Sequence, residues 1–178
     1  MIGDSLSSEY GIARDTGWVN ILRQRLDKDY PGYAVVNASI SGDTTSGGAA
    51  RAPAAIDRHK PAILILELGG NDALRGLSLA AAEKNLSGIV THAQDAGART
   101  LLVGMMIPPN FGRTYADAFK EMFVTVSKAH DTELVPFFFE GLTLDDTYMQ
   151  ADGIHPNANA QQKLFENVWN KLEPMLKG

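Results

Sequence analysis

Apolar and polar positions along the chain alternate between two periods. Near-continuous apolar runs occur at Ala34-Val35-Val36, Ile63-Leu64-Ile65-Leu66, Thr100-Leu101-Leu102-Val103 and Leu134-Val135-Pro136-Phe137. Such runs predict short strands buried on both faces, as in a parallel sheet covered by helices. Between them the apolar positions recur at helical spacing. Trp18, Ile21, Leu22 and Leu26 form one stripe, and Leu79, Ala82, Leu86, Ile89, Val90 and Ala93 a second. Tyr115, Phe119, Met122, Phe123 and Val126 form a third, behind Thr114-x-x-Asp117, a spacing that suggests a capping box. Ala160, Leu164, Val168 and Leu172 form the last, with Pro156 placed for the first turn of that helix.

Strands alternating with helices imply right-handed crossovers and an α/β fold, a three-layer α/β/α sandwich around a mostly parallel sheet. No linker, repeat or low-complexity segment interrupts the pattern, and 178 residues suit one domain over 1–178. The run Phe137-Phe138-Phe139 reads as a buried strand end with one ring against a neighbouring helix. In an open parallel sheet ligands bind beyond the carboxyl ends of the strands, so the loops there are the place for chemistry.

Composition narrows the classes. Sixteen Lys and Arg against 21 Asp and Glu give a net charge of −5, a poor match to a nucleic-acid backbone. With 44% apolar and 21% charged residues the chain is not disordered. The absence of cysteine removes disulfides, thiol nucleophiles and thiolate metal sites together. The apolar runs fall far short of the ~20 residues that a membrane helix needs, so no stable membrane insertion is expected. No basic stretch followed by an apolar run opens the chain, so no signal peptide is expected within it.

Four loops carry candidate chemistry: Gly3-Asp4-Ser5-Leu6-Ser7, Ser41-Gly42-Asp43-Thr44, Gly69-Gly70-Asn71-Asp72 and Asp152-Gly153-Ile154-His155-Pro156. Of the four histidines, His59 sits in a charged helix end, His92 lies off its apolar stripe and reads as exposed, and His130 ends a helix. His155 differs, because Asp152 one tight turn earlier can accept its Nδ1 proton and leave Nε2 free to take another. Ser5 stands where a helical segment could begin. It reads either as an exposed hydroxyl at a helix N-terminus or as a plain N-cap. Gly42 offers an unobstructed backbone N–H or a turn, and Asn71 a side-chain amide or a helix cap.

Together, in this order, the four blocks resemble the SGNH (GDSL) hydrolase family, and within it the acyl-CoA thioesterase I, lysophospholipase L1 and arylesterase branch. Ile107-Pro108-Pro109-Asn110-Phe111-Gly112 is also similar to that branch. The resemblance spans the chain. It implies a flavodoxin-like SGNH fold and a serine hydrolase of carboxylic esters, with thioesters as further substrates. It also implies Ser5 as nucleophile, His155 as general acid/base and Asp152 as its orienting acid. Ser5, Gly42 and Asn71 would form the oxyanion hole. A loop over Ala73 to Leu77, hinged at Gly76, moves in that family when an acyl chain binds. Leu74, Arg75, Met106, Ile107 and Pro108 are the candidate substrate contacts, with Met105 beside them, although the methionines also suit ordinary core. The mechanism needs no metal and no cofactor. The expected partner is a small acyl ester or thioester, acted on by a monomer, with no nucleic acid. The resemblance places the protein in the periplasm or outside the cell, with the cytoplasm left open by the missing leader.

Three other readings remain. Gly42-Asp43-Thr44-Thr45-Ser46-Gly47 has the glycine spacing of a phosphate loop, but Gly48 stands where its lysine is required. A carbohydrate O-acetylesterase of the same superfamily, or a non-catalytic α/β binding domain, would keep the fold. One feature departs from the family: only Met1 and Ile2 precede Gly3, so the first strand is expected to be shortened or missing.

Overall fold

A computed structural model describes residues 1–177. In chain order the elements are β1 (Ile2–Gly3), α1 (Trp18–Asp29), α2 (Thr45–His59), β2 (Ile63–Glu67), α3 (Gly70–Leu74) and α4 (Leu79–Asp95). They continue with β3 (Arg99–Val103), α5 (Arg113–His130), β4 (Glu133–Val135) and α6 (Gln161–Lys177). The sheet runs β1-β2-β3-β4, all parallel. Helices α2, α4 and α5 pack against one another on one face, and α1 packs with α6 on the other, giving the three layers. The stripes read from the sequence are the buried faces: Leu86, Val90 and Ala93 of α4, Phe119 of α5 and Leu164 and Val168 of α6 are each fully buried. Phe138 sits behind β4 with its ring edge-on to Trp18 of α1, 5.5 Å between centroids. No helix of the described residues is long and apolar enough to cross a membrane.

β1 is shortened to two residues, which pair with Leu66 and Glu67 of β2. Its other flank corrects the first predicted strand. Ala34-Val35-Val36 forms no ladder. The chain just after it lies along β1 as an irregular edge, with the Met1 nitrogen donating to the Val36 carbonyl (2.7 Å), Ala38 N–H to Met1 O (3.0 Å) and Ile40 N–H to Gly3 O (3.0 Å). Side chains divert the rest of its backbone. Asn37 accepts from Ser39 N–H and donates to the Ser7 carbonyl. The Arg51 guanidinium of α2 donates to the carbonyls of Ala38 and Gly3 and to Asp43. Beneath this edge, away from the loops of interest, lies an apolar cavity of about 150 Å³ lined by Leu22, Leu26, Val36, Ile56 and Leu172 among others.

Other expectations also shift. Thr114 does not cap α5, because the helix starts two residues earlier, at Arg113 after Gly112 at φ +96°. Pro156 does not open α6. It bridges Met149 as an isolated antiparallel pair, ahead of a 3₁₀ turn over Ala158–Ala160. Helix α2 has no apolar stripe to announce it, only small residues with Ile56, yet Thr44 caps it by accepting from Gly47 N–H. Arg51→Met keeps the apolar stem and removes the guanidinium's bonds to Gly3, Ala38 and Asp43. Ile40 N–H still serves the Gly3 carbonyl, but the half-buried Ala38 carbonyl is left unpaired, at about 1–3 kcal/mol, so urea unfolding is expected to show a loss of about that size.

Candidate active site

The chain leaves β1 at Gly3 and folds at once into a series of turns rather than the helix expected at Ser5. Ser7 and Ser8 N–H donate to the Asp4 carbonyl, and Tyr10 N–H to that of Ser5. The Asp4 carboxyl, not Ser5, does the capping, accepting from Leu6 N–H at 3.0 Å. Ser5 is 8% exposed and its hydroxyl meets the Nε2 of His155 at 2.9 Å.

His155 arrives from a closed loop at the other end of the chain. Gln150 N–H donates to the His155 carbonyl, and Gly153, at φ +65°, donates back to that of Gln150. Asp152 lies inside the loop. Its Oδ1 accepts from the N–H groups of Ile154 and His155 at 2.9 and 3.0 Å, and its Oδ2 meets His155 Nδ1 at 2.7 Å. Partial burial opposes ionisation of Asp152. The bonds from the His155 backbone and ring and from Ile154 N–H outweigh it and hold the carboxyl down at about 2. The result is a continuous chain of contacts from carboxylate to imidazole to hydroxyl, spanning 150 residues of sequence.

The candidate donors converge on the same turn. Gly42 sits at φ +79° between Ile40 and Asp43, whose own N–H closes the turn on the Ile40 carbonyl. Among the described residues the N–H groups of Ser5 and Gly42 have no protein acceptor. Asn71 lies in the first turn of α3, not in an open loop, because Gly69 at φ +117° lets the chain reverse straight into that helix. Its Nδ2 donates to Asp4 Oδ2 at 3.0 Å and to the Asp43 carbonyl at 2.9 Å, so both amide hydrogens are engaged. Asp72 beside it is buried and accepts from the backbone and hydroxyl of Thr45, fixing α3 to the start of α2.

The remaining histidines stay apart from this cluster. His59 is exposed, His130 closes α5, and His92 is half-buried against Asp57 at 2.8 Å rather than free in solvent. No group of three or more metal-ligating acids or histidines occurs among the described residues. The cleft that reaches Ser5 and His155 is lined by Leu6, Glu9, Tyr10, Ile12, Pro156 and Gln161. None of Leu74, Arg75, Met106, Ile107 and Pro108 lines it. Leu74 and Arg75 are exposed on the Asn71 side, where Arg75 donates to the Gly42 carbonyl at 3.0 Å. Leu74 belongs to α3, so only the segment after it is loop, with Gly76 at φ +63°. Met105 is core, Met106 and Ile107 are half-buried, and Pro108 is exposed.

Two residues that the sequence did not single out shape the cleft. The Tyr10 ring lies 4.4 Å from the His155 ring, tilted by 42°. Gln150 Nε2 donates to the carbonyls of Tyr10 and Pro156 at 2.8 and 3.1 Å, fastening the serine's turns to the histidine's loop. A side chain at Gly11 would collide with this amide, at 2.0 Å from Gln150 Oε1, and its φ of +71° also favours glycine. Pairs separated by about 140 residues leave no periodic trace, so nothing in the sequence could have flagged them.

Residues 1–163 match the GDSL-like Lipase/Acylhydrolase family. The chain is 47% identical to a protein named Esterase TesA from Pseudomonas aeruginosa, over 99% of this chain and 88% of the relative. It is 40% identical to Thioesterase 1/protease 1/lysophospholipase L1 from Escherichia coli, over 99% of this chain and 83% of the relative. The crystal structure of the psychrotrophic esterase EstA from Pseudoalteromonas sp., inhibited by monoethylphosphonate, superposes with a TM-score of 0.93 at 33% identity, covering 99% of this chain and 97% of that one.

Because Asp152 is held below its ordinary value of 3.8 in the folded state, its contribution to stability is present above that pH and is lost as pH falls through about 2. Asp152→Asn is therefore expected to melt below the wild type at pH 6. The gap should narrow as thermal scans are taken from pH 5 toward pH 2.5. A gap independent of pH would remove the charge from this account.

Proposed function

Because the chain belongs to the GDSL-like lipase/acylhydrolase family, and is accordingly a carboxylic-ester hydrolase, we propose that it works through an acyl-enzyme on Ser5. The observation that carries this reading is the run of contacts from Asp152 to His155 to Ser5, at 2.7 and 2.9 Å. His155 Nε2 takes the hydroxyl proton as Ser5 Oγ attacks the ester carbonyl, and Asp152 fixes the ring so that Nδ1 carries the other proton. The carbonyl oxygen becomes an oxyanion facing the N–H groups of Ser5 and Gly42, which have no protein acceptor among the described residues and need no rearrangement to receive it. Asn71 supplies the third donor by sharing, in a three-centre bond, the hydrogen it gives to the Asp43 carbonyl.

Collapse of the tetrahedral species breaks the bond to the leaving oxygen or sulfur, and His155 returns the proton to that atom. Water then attacks the acyl-enzyme with His155 again as base, releasing the carboxylic acid and restoring Ser5.

We place the leaving group in the cleft under Tyr10, where Leu6, Ile12 and Pro156 offer apolar contacts to an aryl or alkyl group and Glu9 disfavours an anionic one. The acyl chain runs the other way, past Asn71 toward Leu74, Arg75, Met106, Ile107 and Pro108. Acyl esters and thioesters of small molecules are therefore the proposed substrates, and acetylated sugars are disfavoured. Every group used comes from one chain, so the reading needs no second copy, metal or cofactor.

Ser5→Ala is expected to abolish release of p-nitrophenol from p-nitrophenyl butyrate in a continuous absorbance assay. Turnover persisting within tenfold of wild type would overturn the reading. Asn71→Ala is expected to lower kcat by about 10²–10³ with KM little changed, as for loss of one oxyanion donor. An unchanged kcat would take Asn71 out of the hole.

A further inference from the structure

Two carboxyl groups lie under the Ser5 turn, and the mechanism above uses neither. Asp4 is 2% exposed and Glu67, the last residue of β2, is 3% exposed. Both hold the same turn. Glu67 Oε2 accepts from the Ser7 hydroxyl at 2.7 Å and from Asp4 N–H at 3.3 Å. Asp4 accepts from Leu6 N–H on one oxygen and from the Asn71 amide on the other, each at 3.0 Å. Gly3 makes the room: a Cβ there would stand 2.8 Å from Glu67 Oε2 and 3.1 Å from the Ser7 side chain.

The surroundings hold too little positive charge for two anions. Asp4 faces Glu67 from β2, Asn71 from α3, Asp43 from the Gly42 turn and His155 from the closed loop. Glu67 faces Asp4 and Ser7. The nearest guanidinium, Arg51, is ion-paired to Asp43 at 2.7 Å and gives its other donors to backbone carbonyls. Two buried carboxyls without a cation of their own cannot both be ionised at modest cost. They differ in what they accept. Asp4 receives an N–H on each of its oxygens, from Leu6 and from the Asn71 amide, which favours an anion, whereas both donors to Glu67 land on Oε2, leaving Oε1 the oxygen to carry a proton, and Glu67 has Asp4 as its charged neighbour.

We propose that Asp4 and Glu67 hold one proton between them, on Glu67, and that this acid–carboxylate pair is a positioning unit aiming the Asn71 amide at the oxyanion and holding the Ser5 turn beside it. The inference rests on the reading of Ser5 as nucleophile and Asn71 as oxyanion donor. Neither acid touches substrate. Asp4 acts through Asn71, whose hydrogen on Asp4 Oδ2 fixes the plane of the amide so that the second hydrogen lies on the side of the Gly42 turn. Glu67 acts through Asp4 and Ser7, tying the turn to the end of β2. Burial, then the Asp4 charge, raises the Glu67 carboxyl well above the ordinary carboxylate range, and burial pushes Asp4 up to about 6.

Three variants of the full chain test this, read by steady-state kinetics with p-nitrophenyl butyrate and by thermal melting. Asp4→Asn replaces an anion with an amide that cannot accept both N–H groups without presenting its own hydrogens to one of them. It is expected to lower kcat at least tenfold with KM within twofold, and kcat within twofold of wild type overturns the proposal. Glu67→Gln is a neutral isostere. A carboxyl whose folded value is raised contributes stability in full below its unfolded value, and that stability is lost as pH rises through the folded value. Glu67→Gln never meets this loss, so its melting temperature is expected to exceed that of wild type at pH 8, the gap closing as pH falls toward 4.5. A gap that is absent, or that reverses so that Glu67→Gln is the less stable at pH 8, shows an anionic Glu67 and overturns the proposal. This arm decides the matter even if Asp4→Asn fails to fold. Ser5→Ala run alongside separates the two levels: an inactive Ser5→Ala with a fully active Asp4→Asn sinks only the positioning unit, whereas an active Ser5→Ala sinks the reading beneath it.

Discussion

Two residue pairs of parallel ladder, Ile2 with Leu66 and Gly3 with Glu67, fix where the Ser5 turn begins. Everything beyond is hung from that junction. Asp4 reaches Asn71 because Gly3 ends beside Glu67, and Ser5 meets His155 because the turn that follows is held at both its acids. The outer flank of β1 is an irregular segment rather than a full neighbour. The guanidinium of Arg51, bound to Gly3, Ala38 and Asp43 at once, braces that edge. Site and sheet edge are thus one hydrogen-bonded unit.

The charge around the site has a consistent sense. Asp4, Asp43, Asp72 and Asp152 all approach it, and the half-buried guanidinium of Arg51 is committed to Asp43. Under the proposed mechanism, negative charge developing on a substrate falls chiefly to N–H dipoles, which point at one place without carrying a full charge of their own. Under the same mechanism these acids favour positive charge on the imidazole while it holds the serine proton. Burying the acids has a cost, offset by the backbone, amide and hydroxyl donors that reach them.

The fold was legible where periodicity was strong. β2, β3 and helices α4, α5 and α6 follow from apolar spacing, since burial of a stripe is what places them. Helix α2 was not, because Gly47, Gly48, Ala49, Ala52 and Ala55 pack closely without forming a recognisable stripe. The segment at Ala34 to Val36 was read as a strand on its composition, but Asn37 and Arg51 take over the hydrogen bonds that a ladder would have used. The candidate site was legible as four blocks in order: the Ser5 turn just past β1, the Gly42 turn after the irregular edge, Asn71 in the helix that follows β2, and Asp152 to His155 in a closed turn ahead of the last helix. Glu67 was hidden for a different reason. It ends an apolar run, where an acid ordinarily marks emergence into water, and only the absence of a side chain at Gly3 turns it inward.

Gln150 fastens the two loops that bear the serine and the histidine with a single amide. In a chain without cysteine that clasp is made of hydrogen bonds alone, which re-form as fast as they open and carry no redox potential. A disulfide joining the same loops would be made or broken according to the thiol balance of its surroundings. The register between the two halves of the site is therefore set identically in a reducing and in an oxidising medium.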